Sequence, residues 1–94
     1  DAPVAAWLEV DGQRIELTRP ITTIGRRADR AVVLLDADVS RAHCEIRRTV
    51  FGLTLVDTGS TNGCWVNDEL VAERVLADGD RIRVGNTTIV FSLG

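Results

Sequence analysis

Apolar and polar residues alternate along much of the chain, in short segments separated by turn-forming residues. In an early segment Ile15 and Leu17 alternate with charged neighbours, and the preceding Asp11 and Gly12 are typical of a two-residue hairpin turn. A period of two indicates half-buried strands, and no segment keeps helical spacing long enough to predict a helix. The pattern predicts further strands at residues 21–24, 32–34, 44–48, 53–57, 65–66, 81–84 and 87–91, with a second tight turn at residues 85–86. Many short strands of this kind pair into a sandwich or a barrel, so the chain is predicted to be all-β.

Length and composition place the chain among soluble proteins with one compact domain. Its 94 residues suffice for one hydrophobic core, and 45% hydrophobic with 27% charged residues is ordinary for such a domain. The longest apolar run, residues 31–35, predicts neither a membrane span nor a signal peptide. We expect a folded domain at residues 5–93. Residues 1–4 are expected to be a flexible N-terminal segment of a longer parent protein, because the chain opens with Asp-Ala-Pro and lacks methionine.

The chain has few residues that could bind a metal. Cys44 and Cys64 are its only cysteines, and His43 is its only histidine. Two thiols and one imidazole at this spacing form neither a disulfide framework nor a usual zinc site. We therefore expect no metal and no cofactor. With no disulfide framework, a reducing cytoplasm is the expected location.

All 11 basic residues are arginines, although the net charge is −3. Four of them, Arg26, Arg27, Arg30 and Arg41, are close together in the sequence. The planar guanidinium group can bind a phosphate through two hydrogen bonds at once. Acidic residues elsewhere argue against a nucleic-acid surface, so this cluster indicates at most a local anion site.

Three polar segments interrupt the apolar pattern, at residues 25–30, 36–43 and 57–63. The third contains hydroxyl groups, an amide and two glycines, which suit either an ordinary hairpin loop or a binding loop. In the second, Ser40 precedes His43 by three residues, as a nucleophile and its base could. Ser40 lacks the G-x-S-x-G surroundings of a nucleophile elbow, and neither an orienting acid nor an oxyanion site is evident. The chain is therefore not expected to be an enzyme.

Taken together, the three polar segments resemble the signature of the forkhead-associated (FHA) domain family. The similarity extends from Trp7 to Phe91, and the matching residues are Gly25, Arg26, Ser40, Arg41, Ala42, His43, Ser60, Thr61, Asn62, Gly63, Leu76, Gly79, Asp80, Ile82 and Gly85. The resemblance implies a β-sandwich of about eleven short strands, with the binding loops at one end and both termini at the other. It also implies recognition of phosphothreonine in an extended peptide.

The resemblance assigns roles to five residues of a phosphothreonine site. Arg26 would make the main charged contact with the phosphate, and Arg41 would lie alongside as a second cation. Ser40 and Thr61 would donate hydrogen bonds to the phosphate, and Asn62 would bind the adjoining peptide backbone. The chemistry is suitable, because a phosphothreonine carries about −1.5 to −2 charges and three acceptor oxygens, and so requires fixed donors.

Three further residues are expected to support the binding loops. By resemblance, His43 holds the loops through hydrogen bonds. Gly25 and Gly63 would permit backbone geometry that a side chain would obstruct. His43 is therefore expected to be structural rather than catalytic.

Residues near these loops are expected to select the peptide residues that flank the phosphothreonine. In the family, the third residue after the phosphothreonine often contacts the loop before the Ser-Arg-x-His motif and the loop after Asn-Gly. Asp38, Asn67 and Asp68 occupy those regions here. Cys64 and Trp65 depart from the usual family pattern, so the resemblance does not determine the shape of the adjoining loop.

The sequence thus predicts a module that binds phosphothreonine-containing proteins or peptides, downstream of a Ser/Thr kinase. We expect it to bind no nucleic acid and to insert into no membrane. One alternative stays open at this stage. The domain could dock a partner, or a second copy of itself, independently of phosphorylation.

Overall fold

The computed structural model describes residues 4–94, which form eleven strands and no helix. The strands are β1 Ala6–Val10, β2 Gln13–Glu16, β3 Ile21–Gly25, β4 Val32–Val33, β5 Cys44–Thr49, β6 Gly52–Asp57, β7 Cys64–Val66, β8 Glu69–Val71, β9 Glu73–Val75, β10 Arg81–Val84 and β11 Thr87–Leu93. The predicted all-β class is confirmed. Of the predicted flexible segment at residues 1–4, only Val4 belongs to the described residues.

The strands form a sandwich of two sheets. A six-stranded sheet has the order β2-β1-β11-β10-β7-β8, and a five-stranded sheet has the order β4-β3-β5-β6-β9. Strand β10 shows how the sequence produces this arrangement, because Ile82 and Val84 are fully buried whereas Arg81 and Arg83 are exposed. Side chains from both sheets meet in one core, and its largest members include Phe91, Leu8, Ile24, Ile46 and Leu55.

The two predicted tight turns are present. Asp11 and Gly12 connect β1 to β2, and both have positive φ angles, 49° and 77°. Gly85 and Asn86 connect β10 to β11, where Val84 pairs with Thr87.

The sequence pattern missed two strands, β8 and β9. Both are three-residue strands at a sheet edge, and Leu70 and Val75 are exposed. A strand that buries few side chains has little reason to alternate apolar and polar residues. The turn before β8 also lacks the glycine that usually marks a tight turn in a sequence. Asn67 and Asp68 adopt positive φ angles of 49° and 68° there instead.

Strand pairing gathers the polar segments at one end of the sandwich. These are the first loop (residues 26–31), the second loop (residues 34–43), the third loop (residues 58–63) and the β10–β11 turn. Cys44 pairs with both Ile24 and Asp57, which aligns the loop-bearing ends of β3, β5 and β6. At the other end, the Gly94 amide donates to the Ala5 carbonyl at 2.9 Å. Residues 4–94 contain no helix able to span a membrane.

Candidate functional site

The first loop lies directly against the second. The Arg26 amide donates to the Ser40 carbonyl at 3.0 Å, and the Arg27 amide donates to the Arg41 carbonyl at 3.2 Å. A Cβ atom on Gly25 would lie 2.1 Å from the Arg41 carbonyl oxygen, far inside van der Waals contact. Glycine is therefore required at position 25 because two backbone segments approach each other closely there.

His43 connects the second loop to the third from inside the protein. Its fully buried ring accepts a hydrogen bond from the Ser40 amide at Nδ1, at 3.0 Å, and Nε2 lies 2.8 Å from the Gly63 carbonyl oxygen. Because an amide only donates and a carbonyl only accepts, the ring is the neutral tautomer with its proton on Nε2. Both ring nitrogens are therefore occupied by backbone groups.

The electrostatic surroundings of His43 include two buried thiols. Burial lowers the pKa of His43, but the neighbouring Cys64 thiol and the Gly63 carbonyl raise it by more. The hydrogen bond between the thiols raises the pKa of Cys44 and lowers that of Cys64. Protonation of His43 at Nδ1 would still remove the acceptor of the Ser40 amide, so the neutral ring is the form that holds the loops.

Asp57 and Ser60 shape the third loop. Asp57 Oδ1 accepts from the amides of Gly59, at 2.9 Å, and Ser60, at 2.8 Å, while Oδ2 accepts from the Ser60 hydroxyl at 2.7 Å. Ser60 Oγ in turn accepts from the Gly63 amide at 3.0 Å. Burial raises the pKa of Asp57, but the hydrogen bonds from Ser60 and Gly59 hold it below its usual value. Sequence reasoning missed this role of Asp57, although an aspartate opening a loop of small polar residues is a known turn signal.

The third loop is also attached to the second across the top of the sandwich. The Thr61 amide donates to Ser40 Oγ at 3.0 Å, and the Asn62 side-chain amide donates to the Asp38 carbonyl at 2.9 Å. Between the three loops lies a cleft of about 170 Å³, here called the phosphate cleft after the group that the sequence predicts it to bind, lined by Arg26, Ala37, Asp38, Val39, Ser40, Thr61 and Asn62.

The phosphate cleft presents hydrogen-bond donors to its interior. Arg26 Nε donates to the Val39 carbonyl at 3.0 Å, which fixes the guanidinium group at the cleft. Within the hydrogen-bond network of residues 4–94, the Ser40 hydroxyl acts only as an acceptor, so its proton is free. The Thr61 hydroxyl likewise has no partner in that part of the chain. A cation and two hydroxyl donors are thus available to an anion.

The arginine cluster divides into two paired and two unpaired members. Arg27 and Arg30 both bind Asp29, at 2.5 and 3.2 Å, and these contacts lower the pKa of Asp29, that with Arg30 most strongly. No ion pair among residues 4–94 involves Arg26 or Arg41. Arg26 and Arg41 are therefore the two arginines of this cluster without an ionic partner, and Arg26, unlike Arg41, lines the phosphate cleft.

The nearby aspartates bind the β10–β11 turn. Asp36 Oδ1 accepts from the Asp38 amide at 2.9 Å, and Oδ2 accepts from the Asn86 amide at 2.7 Å and the Thr87 hydroxyl at 2.9 Å. The hydrogen bonds from Asp38 and Asn86 lower the pKa of Asp36. The Asp38 carboxylate accepts from the Asn86 side chain at 2.5 Å and borders a second cleft of about 260 Å³, which Asn62 and Arg83 also line.

The structure does not bring Asn67 and Asp68 to these loops. Both residues follow β7 and form the β7–β8 turn, and a three-residue strand separates them from Gly63 by about 10 Å of chain. Asn67 is bound to the turn before β10, where its side chain donates to Asp80 at 2.9 Å and accepts from the Arg81 amide at 3.0 Å. β7 thus carries the chain away from the third loop before it reaches Asn67 and Asp68, and a role of these two residues in selecting the flanking peptide residues stays a prediction.

The other predicted site residues are grouped at the loop end. Arg26, Ser40, Thr61, Asn62 and Asp38 line the phosphate cleft. The three expected supporting residues lie behind it, where His43 and Gly25 make the contacts described above and Gly63 has a φ angle of 82°. Residues 4–94 contain no group of three His, Cys, Asp or Glu side chains that could hold a metal ion.

Comparison with known proteins gives consistent matches. The FHA domain profile matches residues 22–85. The oxoglutarate dehydrogenase inhibitor of Corynebacterium diphtheriae is 42% identical over 83 residues, which are 88% of this chain and 58% of that protein. The glycogen accumulation regulator GarA of Mycobacterium tuberculosis is also 42% identical over 83 residues, which are 88% of this chain and 51% of that protein. The chain thus spans about half the length of these relatives.

A solved structure extends the comparison to the fold. A chain from a structural and functional analysis of phosphothreonine-dependent FHA domain interactions superimposes with a TM-score of 0.90. It is 39% identical, and the alignment covers 96% of this chain and 97% of that chain. The match therefore includes both sheets and the loop end.

Proposed function

Since this chain belongs to the FHA domain family, we propose that it is a phosphothreonine-binding module that mediates phosphorylation-dependent association with a partner protein. One observation carries the proposal. Arg26, which has no carboxylate partner within residues 4–94, is fixed at a cleft where the hydroxyl groups of Ser40 and Thr61 are free to donate. The bound group would thus be an anion with several acceptor oxygens.

The donors match the chemistry of a phosphothreonine. The Arg26 Nη groups can bind two phosphate oxygens, since Nε is already bound to Val39. Ser40 Oγ accepts from the Thr61 amide, which leaves its proton for the phosphate. Arg41, which follows Ser40 in the sequence and has no ion pair within residues 4–94, would add a second positive charge. A phosphate with about −1.5 to −2 charges is thereby met by two cations and two hydroxyl donors.

Asn62 is positioned to bind the peptide backbone. One of its amide protons is used by the Asp38 carbonyl, which fixes the side chain at the rim of the cleft. The second amide proton and the carbonyl oxygen can pair with one peptide unit of an extended ligand. Peptide binding beside the phosphate would therefore be independent of the neighbouring side chains.

The geometry gives no support to a catalytic role. A Ser40 nucleophile would need His43 as its base, but both ring nitrogens of His43 are bound to backbone groups and the ring is fully buried. We therefore propose a binding domain, with boundaries at residues 5–93, that acts downstream of a Ser/Thr kinase. A cytoplasmic location fits the two buried free thiols.

Isothermal titration with a library of phosphothreonine peptides and their unphosphorylated counterparts tests the proposal. Arg26→Ala should cost about 2 kcal/mol of affinity or more, because it leaves the phosphate without its main cation. Arg27→Ala is the matched control, since that neighbouring arginine is already paired with Asp29, and it should bind nearly as the parent does. Equal binding of phosphorylated and unphosphorylated peptides would instead establish a phosphate-independent docking module.

A further inference from the structure

An open apolar groove adjoins the phosphate cleft between the third loop and the β7–β8 hairpin. Its apolar wall consists of Trp65, Leu70, Val71 and Ala72, its other wall is the third loop, and its volume is about 640 Å³. Leu70 on β8 pairs directly with Trp65 on β7, and 59% of the Leu70 surface is exposed. A leucine this exposed beside a tryptophan forms an unfilled apolar surface.

The wall of the apolar groove is held in place by specific contacts. Leu70 lies so close to the third loop that a Cβ atom on Gly63 would come within 2.6 Å of Leu70 Cδ1. The Trp65 indole nitrogen faces the Asn62 carbonyl at 3.4 Å, and the Arg83 guanidinium lies 4.9 Å from the centre of the Trp65 ring. The polar and cationic partners of Trp65 are therefore already supplied by the protein, which leaves its apolar surface for a ligand.

The charged groups near the apolar groove have partners within the domain. The Asp57 carboxylate is bound by Ser60 and by the Gly59 amide, and Glu69 is paired with Arg74. Among residues 4–94, no cationic side chain lines the groove. A charged side chain entering it would therefore lose water without gaining an ionic partner, whereas an apolar side chain would gain buried area.

The groove is continuous with the proposed binding site, because Thr61 and Asn62 line both the groove and the phosphate cleft. An extended peptide advances about 3.3 Å per residue, so a side chain a few residues from the phosphothreonine can reach Leu70. On the basis of the proposed function, we propose that the apolar groove binds an aliphatic or aromatic side chain of the same phosphopeptide. Leu70 and Trp65 would thereby select among phosphothreonine sequences.

A positional library tests this inference, with phosphothreonine fixed and the four residues on each side varied. The parent domain should enrich apolar residues at one position, and replacing the selected residue by alanine should weaken binding about 3- to 10-fold. In Leu70→Ala the same peptide change should weaken binding less than about 2-fold. Phe51→Ala is the control, since Phe51 is 79% exposed in the β5–β6 turn at the other end of the sandwich, and it should keep the full preference.

The possible results separate this inference from the proposed function. Phosphate-dependent binding without any apolar preference, or with a preference that Leu70→Ala leaves intact, would overturn the inference alone. A concentration-dependent dimer that Leu70→Ala abolishes would assign the groove to a second copy of the chain and would also overturn it. Loss of all phosphate dependence in the parent domain would overturn both proposals.

Discussion

Replacing His43 by alanine should strongly destabilise the domain. The substitution leaves the Ser40 amide and the Gly63 carbonyl without their buried partner. Each such group costs about 1 to 3 kcal/mol, so the two together cost about 2 to 6 kcal/mol. The total stability of a small domain is about 5 to 15 kcal/mol, and the loss is therefore a large fraction of it. Phosphothreonine affinity should also fall, because the second and third loops are no longer connected through the interior.

Urea unfolding followed by tryptophan fluorescence measures the effect, since Trp7 and Trp65 are both partly buried. His43→Asn is the matched variant. Its side-chain oxygen can take the place of Nδ1 and accept from the Ser40 amide, while the contact with Gly63 is lost. The free energy of unfolding for this variant should lie between those of the parent and His43→Ala.

Three results would refute this reasoning. A loss below about 1 kcal/mol in His43→Ala would mean that the two backbone groups find other partners without difficulty. Equal losses in His43→Asn and His43→Ala would mean that the Ser40 hydrogen bond contributes nothing. Full peptide affinity in a folded His43→Ala domain would show that the loops keep their positions without the imidazole.

Three further predictions concern ligand choice and pH. Phosphothreonine peptides should bind at least about 5-fold more tightly than matched phosphoserine peptides, if the threonine methyl group packs in a pocket beside Thr61 and Asn62. Equal affinities in competition titrations would exclude this pocket. An acidic residue three positions after the phosphothreonine should be disfavoured about 5-fold by the Asp38 carboxylate, with aliphatic or basic residues preferred; an oriented library should show this, and Asp38→Ala should abolish it. The lowered pKa of Asp57 stabilises the fold at neutral pH, and this contribution should disappear as the pH falls below about 4 towards that pKa. The free energy of unfolding should therefore decrease more steeply with acid in the parent than in Asp57→Asn, and identical pH profiles would contradict the assignment.

Sequence reasoning anticipated the elements that local patterns specify. Strand β10 alternates buried and exposed residues because one of its faces contributes to the core, and such alternation is visible in the sequence. The hairpin turn at Asp11 and Gly12 was equally visible, since few residue pairs accept positive φ angles. The edge strands β8 and β9 bury too little to leave such a pattern, so they were missed.

The candidate site was likewise predicted only in part. Residue type and order pointed to Arg26, Ser40 and Thr61, and the structure places them around one cleft, while their contact with a phosphothreonine stays a prediction. Asn67 and Asp68 were expected to lie nearby because they are close to the third loop in sequence. One short strand, β7, instead places them in the next turn of the chain, and their influence on ligand choice stays a prediction.

By itself, the sequence determined what depends on neighbouring residues: the β-strand period, the tight turns, and the supply of arginines, hydroxyl groups and glycines in three polar segments. Only the tertiary structure decided which of these groups are still free to bind a ligand. Arg27 and Arg30 share the Asp29 carboxylate, whereas Arg26 does not bind it, although Asp29 lies within three residues of all three arginines in the sequence. Hydrogen bonds such as those of His43 and Asp57 use up donors and acceptors, and strand pairing brings together groups that are distant in the chain. The donors, acceptors and charges that remain available to a ligand are therefore set by the tertiary structure, because each contact within the protein removes a group that a ligand could otherwise use.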